Sequence, residues 1–183
     1  YTSGEEDVGL ISRCGPGKKE NGAIFNHASS WFVLASFLNG DTEKAYDIYR
    51  RMLPPNSSER IDKYEVEPYV FAEYVTSPDH PTEGQASHSW LTGTAVWMLR
   101  NGMDQLAGFK TSLAGIKVDP SVPASWNEFS AVRKFRGKTI KLKYKKAAKG
   151  EPASTKVNGK SVAEVFIDVE KFSEESITVE IVR

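Results

Sequence analysis

Cysteine is almost missing from this chain: Cys14 stands alone among 183 residues. A single thiol cannot close an intrachain disulfide, so nothing points to an oxidising compartment and a cytoplasmic location is expected. No apolar run reaches the length of a membrane span, and no secretory leader pattern is visible, so no membrane is expected among the partners. Histidine is also scarce, with three in all, and neither His80 in its Pro-rich loop nor Cys14 has the spacing of metal ligands. No Gly-rich nucleotide loop and no Ser-His-Asp order stands out. The chain starts Tyr1-Thr2-Ser3-Gly4 without an initiator Met and reads as a segment of something longer.

What is present is ordinary in bulk and uneven in detail. Hydrophobic residues make up 39% and charged residues 26%, as in soluble globular proteins. The length suffices for one core, or one core with a small appended domain. Net charge is zero, yet residues 1–109 hold nine Lys/Arg against fifteen Asp/Glu, and residues 110–183 hold fifteen against nine. That change of sign predicts two structural units, 1–109 and 110–183. The acidic first part also argues against a nucleic-acid cleft. Four Trp residues suit a sugar-binding cleft, although most Trp residues simply fill cores and that reading is the stronger on composition alone.

Hydrophobic period changes along the chain. Residues 1–25 are Gly-rich and read as a loop with one short strand at Val8–Ser12. Ala28–Leu38 is apolar all round, the pattern of a buried helix. Asn39-Gly40 ends it, Asp41 is placed to cap the next helix, and Ala45, Ile48, Tyr49 and Met52 form its apolar stripe. A second helical pair is expected at Tyr69–Val75 and at about Ser87–Ala107. Beyond Gly108 the period becomes two: Ile140, Leu142 and Tyr144 alternate with lysines, and Val165–Val169 and Ile177–Val182 repeat the alternation. Asn158-Gly159 signals a tight hairpin. The fold class is α+β: helices of an α/α toroid, then an antiparallel β-sandwich.

Four constellations carry polar chemistry. Lys19-Glu20-Asn21-Gly22, then Asn26-His27, lie at the start of the first helix, where free backbone N–H groups and the helix dipole attract anions. A solvated Lys19–Glu20 pair and a simple cap at Asn26 or His27 account for the same spacing. Ser87-His88-Ser89-Trp90-Leu91-Thr92-Gly93-Thr94 clusters hydroxyls around a glycine that lets an anion approach the backbone, or that serves only capping and close packing. Tyr64 to Tyr74 sets Glu65, Glu67 and Glu73 among aromatics, as in a saccharide subsite or a glycosidase carboxylate pair, and also as in an aromatic core with capping acids. Arg133-Lys134-Phe135-Arg136-Gly137-Lys138 is basic with interleaved aromatics; its alternation favours a solvated sheet face over nucleic-acid binding.

These segments together resemble glycoside hydrolase family 94, the family of cellobiose, cellodextrin, laminaribiose and chitobiose phosphorylases. The likeness rests on Lys19-Glu20-Asn21-Gly22-Ala23-Ile24-Phe25-Asn26-His27, Glu67-Pro68-Tyr69-Val70, Ser89-Trp90-Leu91-Thr92-Gly93-Thr94-Ala95 and Arg133-Lys134-Phe135-Arg136-Gly137, in order over about residues 13 to 138. The resemblance implies that residues 1–109 are the C-terminal part of an (α/α)6 catalytic barrel and residues 110–183 a jelly-roll-like C-terminal sandwich.

It further implies a glycosyltransferase-type, inverting phosphorolysis. Inorganic phosphate, as co-substrate and with no other cofactor, attacks a β-glucoside to give α-glucose 1-phosphate and a shortened saccharide. One protein carboxyl then suffices, because phosphate replaces the activated water of an inverting hydrolase. By position, His27, Thr92 and Gly93 match phosphate-binding residues, and Lys19 and Glu20 match residues holding the sugar. Glu73 stands where cellobiose-type members usually carry Gln facing the acceptor, and Cys14 where they carry a larger aromatic. Both departures point towards a longer, cellodextrin-like substrate. The general acid, an Asp, is expected upstream of this chain, which alone would be inactive; the parent is expected to be a homodimer. Two other readings remain at this point: an α/α-toroid hydrolase or lyase using Glu67 or Glu73, and a non-catalytic glycan-binding module.

Overall fold

A computed structural model describes residues 7–58 and 60–183. The chain divides into two compact units, Tyr1–Asn101 and Gly102–Arg183.

The first unit combines a helical hairpin with a small sheet. A 3-10 turn occupies Gly9–Arg13, where a short strand was expected. Strand β1 (Ile24–Phe25) runs directly into helix α1 (Asn26–Leu38). Gly40 takes φ +81° just past that helix. Its N–H reaches the Phe37 carbonyl at 3.0 Å, and the Asp41 N–H reaches that of Ser36 at 3.0 Å, the paired bonds of a Schellman stop. Helix α2 (Thr42–Met52) follows at once and packs on α1. Asp41 is its N-cap residue, but its side chain makes no capping bond, contrary to the capping role read from the sequence. The Asp41 backbone carbonyl accepts from Ala45 instead, at 3.0 Å. Pro54-Pro55 breaks α2 as expected and starts a short helix α3 (Pro54–Ser58), followed by α4 (Ile61–Tyr64).

The second expected helical pair is absent in that form. Ala72–Val75 is a strand, β2, with Ala72 and Tyr74 buried and the alternate residues half-buried. It lies between β1 and β3 (Ala86–Ser89), antiparallel to both, with Phe25 opposite Tyr74 and Tyr74 opposite Ser87. Pro68 fits a first helical turn, but period-two burial between two partner strands wins over that weak local signal. Residues 87–93 are not helical either, because His88 and Trp90 sit in the left-handed region at φ +57° and +68°. Helix α5 therefore starts at Thr94, runs to Arg100 and packs on α1; a π-helical segment, Asn101–Leu106, continues it.

Helix α1 is apolar all round but buried only on one side. Val33 and Phe37 are inside, while Trp31, Phe32 and Leu38 are 50%, 50% and 70% exposed. Two buried polar ties and one part-buried one hold it in place. Asn26 Nδ2 donates to the Ala72 carbonyl at 2.9 Å, so Asn26 links helix to sheet and the N-cap position falls to Phe25. Asn101 Nδ2 donates to the Ser30 carbonyl at 2.9 Å, holding α5 to α1. Ser30 in turn bonds the His27 carbonyl. Among the described residues of this unit, the helices that pack on one another are the α1–α2 hairpin and α5.

The second unit is built from β4 (Phe109–Thr111), β5 (Ile116–Val118), β6 (Glu128–Phe135), β7 (Lys138–Lys145), β8 (Ser154–Val157), β9 (Lys160–Ser161), β10 (Phe166–Ile167) and β11 (Ser176–Val182). They form two sheets, ordered β10-β5-β4 and β6-β7-β11-β8-β9. Both contribute to one core: Phe109, Ile116, Val118 and Ile167 from one, Ile140, Leu142, Ile177, Val179 and Ile181 from the other. Each such side chain is worth about 1.5–3 kcal/mol of burial. The expected sandwich was all antiparallel, whereas β11 runs parallel to β7, with Ile177 opposite Ile140 and Val179 opposite Leu142. Alternation marks which face of a strand is buried and is silent on strand direction. Asn158-Gly159 forms the two-residue turn of β8–β9 at φ +48° and +78°. The basic Arg133–Lys138 run is the end of β6 and its turn into β7.

Candidate functional site

Two groups of polar side chains assemble in the first unit, and the segments 19–27 and 87–93 contribute to both.

The first group centres on His27, in the opening turn of α1. Its ring packs against the edge of Trp31, with centroids 4.7 Å apart, and lies 6.4 Å from Trp97. Trp31 and Trp97 meet each other edge to face at 5.9 Å. Gly93 closes the remaining side. A methyl group at Gly93 would lie 2.7 Å from His27 Cε1 and 3.1 Å from Nε2, so the glycine is there to admit the ring. His27 Nε2 is buried and has no hydrogen-bond partner among the described residues. A buried, unsatisfied ring nitrogen is costly unless something else meets it. Thr92 adds hydroxyl chemistry: its Oγ1 accepts from the Thr94 N–H at 3.1 Å and lies 2.6 Å from Thr94 Oγ1. Either hydroxyl can be the donor in that pair.

The second group centres on Glu73 of β2. Glu73 Oε2 is 3.6 Å from Lys19 Nζ and 3.6 Å from His88 Nδ1. Ser87 Oγ is 2.7 Å from the same imidazole nitrogen. Lys19 Nζ also lies 5.9 Å from the centre of the Tyr74 ring. Backbone bonds make the loop that carries Lys19 compact: Gly17 N–H to the Asn21 carbonyl at 2.8 Å, and Ala23 N–H to the Lys19 carbonyl at 3.1 Å. Asn21 Nδ2 bonds the Cys14 carbonyl at 2.7 Å. The Ser77 N–H, just past β2, bonds Gly17 at 3.0 Å and so ties the loop to the sheet.

The sequence-predicted residues thus fall unevenly. His27 and Gly93 are in contact, with Thr92 adjacent. Lys19 and Glu73 are paired. Glu20 is exposed, and Cys14 is a half-buried free thiol in the same loop. Sequence reasoning gave no role to Trp31, Trp97 or the side chain of His88. The two tryptophans were legible, since each lies four residues after a candidate, His27 or Gly93, on the same helical face. His88 owes its place to a left-handed backbone that no neighbouring glycine announces. Glu67 is held below the usual carboxylate range by its own backbone N–H, by Trp90 and by Ser89; the Trp90 bond is 3.0 Å. Among the described residues, no three His, Cys, Asp or Glu side chains converge as metal ligands would.

This geometry coincides with sequence kinship. The profile of the glycosyl hydrolase 94 superfamily catalytic domain matches residues 1–108. The chain belongs to glycoside hydrolase family 94. It is 33% identical over 142 residues to an N,N′-diacetylchitobiose phosphorylase of Vibrio proteolyticus, covering 78% of this chain and 18% of that protein. A solabiose phosphorylase of Paenibacillus borealis is 32% identical over 142 residues, with the same coverage. A cellobionic acid phosphorylase of Neurospora crassa is 32% identical over 146 residues, covering 78% and 18%. The chain therefore spans 18% of the length of these curated relatives. No helix among the described residues is long and apolar enough to cross a membrane.

Proposed function

We propose that this family 94 chain forms the phosphate side and part of the saccharide side of an inverting phosphorylase. In this reading His27, Thr92 and Gly93 bind inorganic phosphate, the co-substrate, and no further cofactor is needed. Lys19 and Glu20 hold the sugar, with Glu73 and Cys14 on the acceptor side. Phosphate attacks the anomeric carbon of a β-linked glucose oligosaccharide from the face opposite the leaving oxygen. An Asp outside this chain protonates that oxygen. The products are α-glucose 1-phosphate and a shortened saccharide. A cytoplasmic location, an (α/α)6 barrel and a homodimeric parent belong to the same proposal, on family resemblance.

One observation carries it: His27 presents a buried Nε2 without a partner, at a helix start, pressed against a glycine at a second helix start. A donor so placed suits an oxyanion. The hydrolase alternative is less well supported, because a general acid must hold its proton near neutral pH. Glu67 is biased towards ionisation.

The test is incubation of the complete polypeptide with and without phosphate, with assay of sugar 1-phosphate. Cello-oligosaccharides are the proposed substrates, and N,N′-diacetylchitobiose, solabiose and cellobionic acid complete the panel. Cleavage that does not need phosphate overturns the phosphorylase reading. Exclusive use of a substrate other than a cello-oligosaccharide overturns the substrate alone.

A further inference from the structure

Glu73 has a chemical position that phosphate binding leaves unused. Its Oε2 is buried, makes no hydrogen bond among the described residues, and lies 3.6 Å from each of Lys19 Nζ and His88 Nδ1. Those distances are charge contacts rather than directional bonds. The three side chains are 22%, 33% and 38% exposed, so a solute reaches the group. Lys19 and His88 come from different segments, a loop and a strand, and both adopt left-handed backbone, at φ +46° and +57°. Each such residue costs roughly 1–2 kcal/mol where it is not glycine. The fold holds both strained conformations, and their side chains converge on one carboxylate oxygen.

Without that carboxylate, the remaining groups are an ammonium, an imidazole that adds charge when protonated, the Ser87 hydroxyl and the Tyr74 ring. That donor set suits a carboxylate ligand. With Glu73 present, the Lys19 charge is already neutralised, and an incoming carboxylate meets like charge while a sugar hydroxyl finds an acceptor.

We propose that Glu73 is a built-in surrogate anion. It occupies Lys19 and His88, so the saccharide site takes neutral sugars and rejects sugars that carry a carboxylate, the uronic and aldonic acids. This rests on the reading of the Lys19 group as a saccharide site.

The experiment runs the complete polypeptide in the synthetic direction, with α-glucose 1-phosphate as donor and glucose, glucuronate or gluconate as acceptor, following phosphate release. The wild type prefers glucose. In Glu73→Gln the ratio of kcat/KM for the acidic acceptors over glucose rises about tenfold or more, the effect of one uncovered charge-assisted contact. In the double variant Glu73→Gln/Lys19→Met that gain disappears. Equal use of acidic and neutral acceptors by the wild type overturns the proposal. So does a proportional loss for all acceptors in Glu73→Gln, or a gain that survives loss of Lys19.

If no acceptor releases phosphate, the phosphorylase reading fails, and binding decides the selection. In that case NMR shifts of the Lys19 and His88 amides are followed at millimolar sugar. Glucuronate moving them in Glu73→Gln but not in the wild type upholds the proposal, and equal shifts in both proteins overturn it.

Discussion

Replacing Gly93 with alanine separates the proposed anion site from the fold. Gly93 has φ −80° and ψ 2°, a negative-φ turn conformation that is open to alanine and carries no left-handed strain. The substitution therefore acts through its methyl group alone. That methyl would sit 2.7 Å from His27 Cε1, 3.1 Å from Nε2 and 3.2 Å from Nδ1, all below ordinary van der Waals contact. The ring cannot retreat without disturbing Trp31 and Trp97, which pack beside it. Overpacking of this kind costs about 1–3 kcal/mol of stability. If His27 donates to phosphate, displacing its ring also removes a hydrogen bond to a charged group, worth about 1.5–3 kcal/mol. That corresponds to roughly 10- to 150-fold in phosphate affinity. The assay is the KM for phosphate and for saccharide, beside a thermal midpoint. The expected result is a raised phosphate KM with the saccharide KM changed far less. In the double variant His27→Ala/Gly93→Ala the clash is relieved, so the midpoint recovers in part while phosphate use does not. An unchanged phosphate KM in a destabilised Gly93→Ala protein would refute the reasoning, because the contact would then be only structural.

Other perturbations test the fold and its electrostatics. Asn101→Leu removes the bond to the Ser30 carbonyl, which keeps its donor within α1, and should lower stability by about 0.5–1.5 kcal/mol in denaturant unfolding; a change under a few tenths would mean the tie is dispensable. Gly108→Ala should destabilise by more than about 2 kcal/mol, since φ is +75° and a methyl would lie 2.2 Å from Pro120 N; unchanged unfolding would show that this loop relaxes freely. Burial alone would raise Asp119, but the Arg183 hydrogen bond, with the charges of Lys110, Arg183 and Lys117, holds it below the usual carboxylate range. A lowered carboxylate contributes stability above its unfolded value, and that contribution is lost as pH falls through the folded value. Arg183→Ala should therefore move acid unfolding to higher pH, and an unmoved acid midpoint would show that the pair adds nothing.

Much of the architecture was readable where one side chain settles the backbone. Gly40 and Gly159 marked a helix stop and a hairpin because their left-handed φ is what glycine permits. Ile140, Leu142, Ile177, Val179 and Ile181 marked a buried face because period two leaves little choice. The reading failed where partners decide. Tyr69–Val75 looks helical from Pro68 and its aromatics, and becomes a strand because β1 and β3 supply its ladder. The parallel pairing of β7 with β11 has no local signature, since a connection of some thirty residues sets it.

The site repeats that division. His27 and Gly93 were legible as polar punctuation at two helix starts, and their contact completes what two separate signals suggested. The Glu73 group was only half legible. Lys19 and His88 carry left-handed backbone in residue types that rarely take it, so their sequences read as ordinary loop and ordinary helix. Local propensity fails there because tertiary contacts override it, and such overrides gather where a side chain must be aimed. The conflict between sequence and structure at positions 19 and 88 is thus itself an argument for function: two strained residues each place a side-chain nitrogen 3.6 Å from one buried carboxylate oxygen. Packing alone does not require that convergence, whereas the proposed control of which charge enters the site does.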